Sequence, residues 1–380
     1  MRILHTSDWH LGRQFHGVAL LDDQRDVLTQ VLTLLEEERI DVLIIAGDIY
    51  DRAIPPAEAI TVLDTFLAAV LGMGIRVIMI SGNHDSGVRL GFASHSLQET
   101  GLYISGQLRS ALEPIRIPDA HGEVLFFPLP YADPLEVREY LGVPVANHAE
   151  AMVAITEAMA TTIPPRARSI LVAHCFVEGS AVSESERPLS VGGIETVPAS
   201  AFTPFDYVAL GHLHSPQYRE RESIRYSGSI LKYSFSEISQ AKSVTIVDMD
   251  QTGQCDICLK PLQPTRDMRL LEGSLEELLA GGQTDPRRED YLLVRLTDTH
   301  AILDVMPKLR AVYPNTLHVE RPQITPGRAY KGPRREQLGR QHLALFADFY
   351  EQMQDQPLSP GQQEIVLDAL RSVQDAERSS

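Results

Sequence analysis

The run Val42-Leu43-Ile44-Ile45-Ala46-Gly47-Asp48 is five apolar residues closed by a glycine and a carboxylate. Unbroken apolarity without alternation marks a strand covered on both faces, the habit of parallel sheets held between helices. A second run has the same form: Arg76-Val77-Ile78-Met79-Ile80 leads through Ser81 into Gly82-Asn83-His84-Asp85. Between them, Pro55 and Pro56 open a helix to about residue 71, with Val62, Leu63, Phe66, Leu67 and Val70 inward. Upstream, residues 22–39 read as a helix carrying Val27, Leu28, Val31, Leu32 and Leu35 on one face. Before it, residues 2–6 make a short strand that runs into Ser7-Asp8-Trp9-His10. Further strands are expected at 124–129, 170–173, 206–210, 225–229 and 243–248, with a helix near 150–162 and a hairpin turn at 250–253. Strands separated by helices predict an α/β sandwich.

The 380 residues suffice for one large domain and one or two small ones. With 43% hydrophobic and 22% charged residues, the chain is expected to fold around a core. Its longest apolar run, residues 66–75, falls short of the roughly 20 that a membrane span needs. Asp8 and His10, candidate ligands, stand too near the start to survive removal of a leader, so the chain reads as cytoplasmic. Three cysteines are too few for a disulfide framework. Cys255 and Cys258 have the spacing of half a zinc site but no second pair nearby, and read as strand or hairpin residues. The net charge of −17 argues against gripping DNA through a basic surface. Any affinity for DNA must then come from local basic patches, metals or a partner.

Near residues 261–268 the pattern changes. Strands at 269–272, 291–296 and 316–320, with helices at 275–280 and 301–312, predict a small βαβαβ-like cap. Residues 326–340 are rich in Arg, Gly and Pro, and Arg328, Lys331, Arg334, Arg335 and Arg340 make the most basic stretch of the chain; this reads as a linker. Two amphipathic helices, about 337–354 and 359–373, close the chain. The expected layout is a catalytic domain over 1–260, a cap over 265–325, a basic linker over 326–340 and terminal helices over 337–375. Residues 178–198 form a long Ser/Gly-rich loop, and loops of that length are commonly functional.

Five polar signals fall at the C-terminal ends of expected strands: Asp8-x-His10, Gly47-Asp48, Gly82-Asn83-His84-Asp85, His174, and Gly211-His212-x-His214. Strand ends in open α/β sheets are where ligands collect. Each signal alone is weak; a set of five in this order, each after an apolar strand, is specific. Asp and Asn offer oxygen and His offers nitrogen. Such a set without thiolate suits manganese, iron or zinc. Two ions about 3.5–4 Å apart need a bridging carboxylate and ligands from several strands.

In this order the five signals resemble the signature of the calcineurin-like metallophosphoesterases. The resemblance implies two sheets sandwiched between helices, with Asp8, His10, Asp48 and His214 holding one metal and Asp48 bridging. Asn83, His174 and His212 would complete the second, and His84 would be a non-ligand acid serving the leaving oxygen. In phosphatases of the superfamily a carboxylate in the place of Asp51 orients that histidine, which implies an Asp51–His84 pair; an ordinary loop carboxylate is the alternative.

A narrower resemblance is to the bacterial SbcD family. It rests on the opening residues 1–12, on Ala46-Gly47-Asp48-Ile49-Tyr50-Asp51, on Ala209 to His214, and on Tyr226 to Ser229 leading to Tyr233 to Glu237. The order of phosphoesterase, cap, linker and terminal helices also matches, so the likeness spans nearly the whole chain. It implies a manganese-dependent exonuclease and endonuclease that processes DNA ends and hairpins in repair and recombination. It implies two Mn2+ ions per chain, an SbcC-type coiled-coil ATPase partner docked on the terminal helices, and a homodimer within a heterotetramer. Archaeal and eukaryotic relatives often carry His where Asp51 stands; Asp is the bacterial form. The chain has no G-x-x-x-x-G-K-[ST] loop, so ATP dependence must come in trans. The alternative is a free-standing metallophosphatase, which would need no cap, linker or terminal helices. A non-catalytic scaffold is disfavoured by the intact ligand set.

Overall fold

The computed structural model describes residues 1–108, 112–186, 196–299, 302–322, 350, 359–363 and 365–366. The expected basic linker and most of both terminal helices lie outside these residues. The chain divides after Arg269 into two units.

The first unit contains two six-stranded sheets. In the first, Arg2–Thr6, Val42–Ala46, Arg76–Ile80 and Leu102–Ser105 lie parallel in that order. Ser243–Met249 and Cys255–Pro261 extend it antiparallel beyond Arg2–Thr6. In the second, Gly122–Pro128, Arg168–His174, Tyr207–Gly211 and Arg221–Tyr226 run parallel, with Ile115–Asp119 and Gln217–Arg219 antiparallel at the edges.

Alternate side chains explain the layers. Ile3, Val42, Ile44, Ala46, Ile78 and Ile80 of one sheet meet Val124, Phe126, Ile170, Val172, Tyr207 and Ala209 of the other in one buried cluster. The intervening residues point the opposite way. On the second sheet Leu125, Phe127, Leu171, Ala173, Val208 and Leu210 pack with Val137, Ile155 and Met159 of the helices Pro134–Leu141 and His148–Ala160. On the first, Leu4, Leu43, Ile45, Val77 and Met79 are buried toward Leu21–Glu37 and Ala57–Gly72. Both faces of both sheets are therefore covered, which is why the strands read as unbroken apolar runs. This is the expected sandwich flanked by helices.

Residues 262–268 belong with this unit. Leu262 N–H donates to Lys242 O, Gln263 exchanges bonds with Gln30, Thr265 donates to Asp26, and Arg266 pairs with Asp23 at 2.8 Å. A three-stranded sheet of Met268–Gly273, Tyr291–Leu296 and Thr316–Glu320 follows, its first strand beginning at the boundary and the rest lying in the second unit. Two short helices, Leu275–Gly281 and Val305–Arg310, cover it around Leu292, Val294, Leu296, Leu309 and Tyr313. Val305–Arg310 is shorter than the expected 301–312, because Asp304 takes a left-handed φ of 56° at its start. Among the described residues, no helix is long and apolar enough to cross a membrane.

Candidate metal centre

All five signals meet at one end of the sandwich. Asp8 and His10 follow the strand Arg2–Thr6, Asp48 follows Val42–Ala46, and Asn83 and His84 follow Arg76–Ile80. These come from the first sheet. His174 ends its strand in the second, and His212 and His214 follow Tyr207–Gly211 beside it. Glycine makes the close approach possible: a Cβ on Gly47 would stand 2.4 Å from His174 Nδ1, and one on Gly82 would stand 2.1 Å from Asp48 Oδ1. Four of the site residues take left-handed backbone: Asp8 at φ 53°, His10 at 46°, Asp48 at 49° and His212 at 102°. Each such residue costs about 1–3 kcal/mol, and strain of this kind clusters at functional sites.

The side chains converge on one another. His10 Nε2 and His214 Nε2 are 3.1 Å apart. Asn83 Oδ1 lies 3.0 Å from His174 Nε2 and 3.2 Å from His212 Nδ1. Asp48 Oδ2 is 3.4 Å from His174 Nε2 and 3.7 Å from His10 Nε2. Among the described residues, three groups have ligand atoms within 4.8 Å of one another: Asp8, His10 and His214; His10, Asp48 and His84; Asp8, Asp48 and His174. Asp8, His10 and Asp48 each stand in two of the three groups.

The surroundings orient these groups. His174 Nδ1–H donates to the Ala46 carbonyl at 2.9 Å, which turns its Nε2 toward the centre. Asp8 accepts from His212 N–H at 3.0 Å and from Ser7 Oγ at 2.5 Å. Asp48 Oδ1 accepts the His84 backbone N–H at 2.9 Å. Asp85 accepts from Ile49, Tyr50 and Gly82 N–H at 2.9–3.0 Å and ties the Asp48 turn to the Asn83 turn. Gln24 Nε2 donates to the carbonyls of Trp9 and His10, and its Oε1 accepts from Gly12 N–H. The expected Asp51–His84 pair takes a different form. His84 Nδ1–H donates to the Asp51 backbone carbonyl at 2.8 Å, while the Asp51 carboxylate faces Arg13 Nη1 at 3.2 Å and His10 Nδ1 at 3.7 Å. The loop has turned its main chain, not its side chain, toward the histidine.

Burial sets the electrostatics. It raises the Asp8 carboxyl to about 8 and lowers His212 to about 3, with His174 adding to the latter. It also holds His10 well below the usual imidazole range and lowers His214. For Asp48, burial works upward, but His174 and the other imidazoles outweigh it and hold the carboxyl well below its ordinary value. Burial would lower His174, yet the Asp48 carboxylate beside it carries it up to about 9. Nitrogen and oxygen atoms thus crowd together in a dry recess, and His10 Nδ1 is buried with no hydrogen-bond partner. Two carboxylates, an amide oxygen and a ring of imidazoles fit divalent metal ions and fit little else.

Strained, metal-fitting strand ends on a two-sheet sandwich define a metal-dependent phosphoesterase, and residues 1–216 match the model of the calcineurin-like phosphoesterases. Residues 264–354 match the type 5 capsule protein repressor C-terminal domain, the C-terminal model of SbcD. Over 99% of its length the chain is 35% identical to the whole of the SbcD subunit of the nuclease SbcCD from Staphylococcus epidermidis. The chain belongs to the SbcD family of calcineurin-like phosphoesterases. Among solved structures, a dimetal phosphatase from Danio rerio shares 12% identity over 69% of this chain and 96% of its own, with a TM-score of 0.41. A hypothetical protein from Thermus thermophilus shares 12% over 69% and 100%, with a TM-score of 0.38.

Proposed function

We propose that this chain is the nuclease subunit of a two-component DNA-processing machine, cleaving phosphodiester bonds with two manganese ions. The observation that supports it most directly is the convergence of Asp8, His10, Asp48, Asn83, His174, His212 and His214 from both sheets into one buried set of lone pairs. Asp8, His10 and His214 would hold one ion, Asn83, His174 and His212 the other, and Asp48 both. When bound, two such ions neutralise phosphate charge and supply a hydroxide nucleophile near neutral pH.

The chain's own part is positioning and proton transfer. Asp48 is held in place by the His84 N–H, and His174 by the Ala46 carbonyl. His84 has its Nδ1 committed to the Asp51 carbonyl, so its Nε2 is the atom that serves the leaving oxygen of the cleaved strand. His84 also shares a group with His10 and Asp48, so its role as acid rather than ligand is the point to test.

The relative from Staphylococcus epidermidis is named as one subunit of SbcCD, which supports an SbcC-type coiled-coil ATPase as partner. With no nucleotide-binding loop in this chain and a net charge of −17, that partner would bring both ATP hydrolysis and much of the DNA affinity. Residues 326–340 would act as a basic linker and 337–375 as partner-docking helices, after a catalytic domain over 1–260 and a cap over 265–325. The assembly would work in the cytoplasm, where its DNA is. Exposed Ile54, Ile60, Val88 and Phe92, on the segments that follow the Asp48 and Asn83 turns, offer surface for a homodimer.

Purified protein with manganese should cut single-stranded and hairpin DNA, and a chelator should stop it. Cutting that persists in excess chelator, or activity confined to phosphomonoesters, would count against the reading. Deleting residues 336–380 should abolish copurification with the ATPase and leave manganese-dependent cleavage of simple substrates.

A further inference from the structure

His214 stands apart from the other site imidazoles in how it is held. Its Nδ1 lies 2.6 Å from Ser185 Oγ and 3.5 Å from Glu237 Oε1. The Ser185 hydroxyl donates its one proton to Glu237 Oε1. Its lone pairs are therefore turned to His214, and the Nδ1 proton is the only one available for that contact. The other carboxylate oxygen, Glu237 Oε2, accepts from Lys242 Nζ at 2.6 Å. Lys242 is 4% exposed and Glu237 wholly buried. The ammonium also donates to Ser229 Oγ, Gln240 Oε1 and the carbonyl of His214 itself. The next loop residue completes the grip: Glu186 Oε1 accepts the His214 backbone N–H at 2.7 Å. Arg13 Nη2 fastens the same loop by donating to the Ser185 carbonyl at 3.2 Å.

We infer that Ser185, Glu237 and Lys242 are positioning residues for metal binding: a buried donor chain runs from Lys242 and Ser185 into Glu237, and from His214 into Ser185. The chain fixes the proton of His214 on Nδ1 and presents a bare Nε2 to the centre. The inference rests on the metal-centre reading above. His10 Nε2 lies 3.1 Å from His214 Nε2, so the two rings present these nitrogens to the same point. Ser185 and Glu186 then belong to the support of the centre, although neither residue touches a metal-facing atom.

The test compares the full chain with Ser185→Ala, Ser185→Thr and Glu237→Gln. In the metal-free protein, two-bond 15N–1H spectra of the imidazoles should show His214 protonated on Nδ1, and Ser185→Ala should shift that tautomer balance while Ser185→Thr keeps it. Titration calorimetry with manganese should show about 10–100-fold weaker binding when an outer partner of this kind is lost. Ser185→Ala should fall at the low end, because Glu237 Oε1 is near enough to take over; Glu237→Gln should fall at the high end. Glu237→Gln strands a buried ammonium, so if it does not fold, Ser185→Ala decides. Manganese binding by Ser185→Ala within twofold of the parent, or a His214 proton on Nε2, would overturn the inference. A parent chain that binds no manganese would instead overturn the metal-centre reading beneath it.

Discussion

If His84 is the proposed acid, replacing it with glutamine should separate proton transfer from metal binding, because its contact with Asp48 is made by the main chain. The bond that steadies Asp48 comes from the His84 main-chain N–H, at 2.9 Å, and any side chain keeps it. The ring contributes only the Nδ1 bond to the Asp51 carbonyl, which a glutamine amide can imitate, and the free Nε2, which it cannot. The loss should therefore be that of a general acid, about 10²–10⁴ in rate. At about 1.36 kcal/mol per tenfold, this is about 3–5 kcal/mol of barrier. Single-turnover cleavage of DNA with saturating manganese measures it, and calorimetry on the same samples should find manganese binding close to the parent's. A nitrophenyl phosphodiester gives the sharper reading, since nitrophenolate leaves without a proton and the deficit should nearly vanish. If the nitrophenyl ester suffers as much as DNA, or if manganese is lost as in Asp48→Ala, His84 is a ligand and the assignment is wrong.

Manganese affinity should rise with pH between about 7 and 9, with protons released on binding, because burial raises Asp8 to about 8 and Asp48 raises His174 to about 9, and both must be deprotonated to ligate. Calorimetry in buffers of different ionisation heat measures this, and a flat profile would contradict it. The sign for stability is the opposite: both groups have folded values above their unfolded ones, so their contribution to the metal-free fold is full at low pH and is lost as pH rises from 3.8 to about 8 for Asp8 and from 6.5 to about 9 for His174. Gly47→Ala should displace His174, since the new Cβ would stand 2.4 Å from Nδ1 at φ 90°. It should weaken manganese binding about 10–100-fold. Gly17→Ala, at φ 80° with no neighbour within 4 Å, should carry only the backbone penalty; equal manganese binding by both variants would refute the steric argument.

The layers and the polar residues that converge at the strand ends were legible because they are local. Runs such as Val42 to Ala46 and Tyr291 to Leu296 declare a doubly covered strand without reference to the rest of the chain. The ligands announce themselves as polar groups after those runs. The supports were illegible because each is a lone polar residue whose partner is far along the chain. Gln24 reads as an ordinary helix residue until the helix lays it under Trp9 and His10. Lys242 and Glu237 look like surface charges until the fold buries them together beside His214 and Ser229. Edge strands such as Leu102–Ser105 and Gln217–Arg219 are too short for periodicity to register. The helix Pro134–Leu141 did carry a readable signal: Asp133, Pro134 and Glu136 make a capping box with proline in the first turn. Asp51 shows the converse failure, since a motif fixes residue type but not which part of the residue makes the contact.

The pairing of the first strand has a consequence for synthesis. Arg2–Thr6 lies between Val42–Ala46 and Ser243–Met249, so one of its two neighbours is made some 240 residues later. At about 5–20 residues per second, the opening segment waits on the order of ten to fifty seconds for that neighbour to leave the ribosome. Lys242 directly precedes the late strand and Glu237 comes just before it. Asp8 and His10, although made first, are thus finished last, and an interrupted or truncated nascent chain ends before the centre can close. The order in which the residues are joined thus sets the order in which the two sides of the first strand are covered.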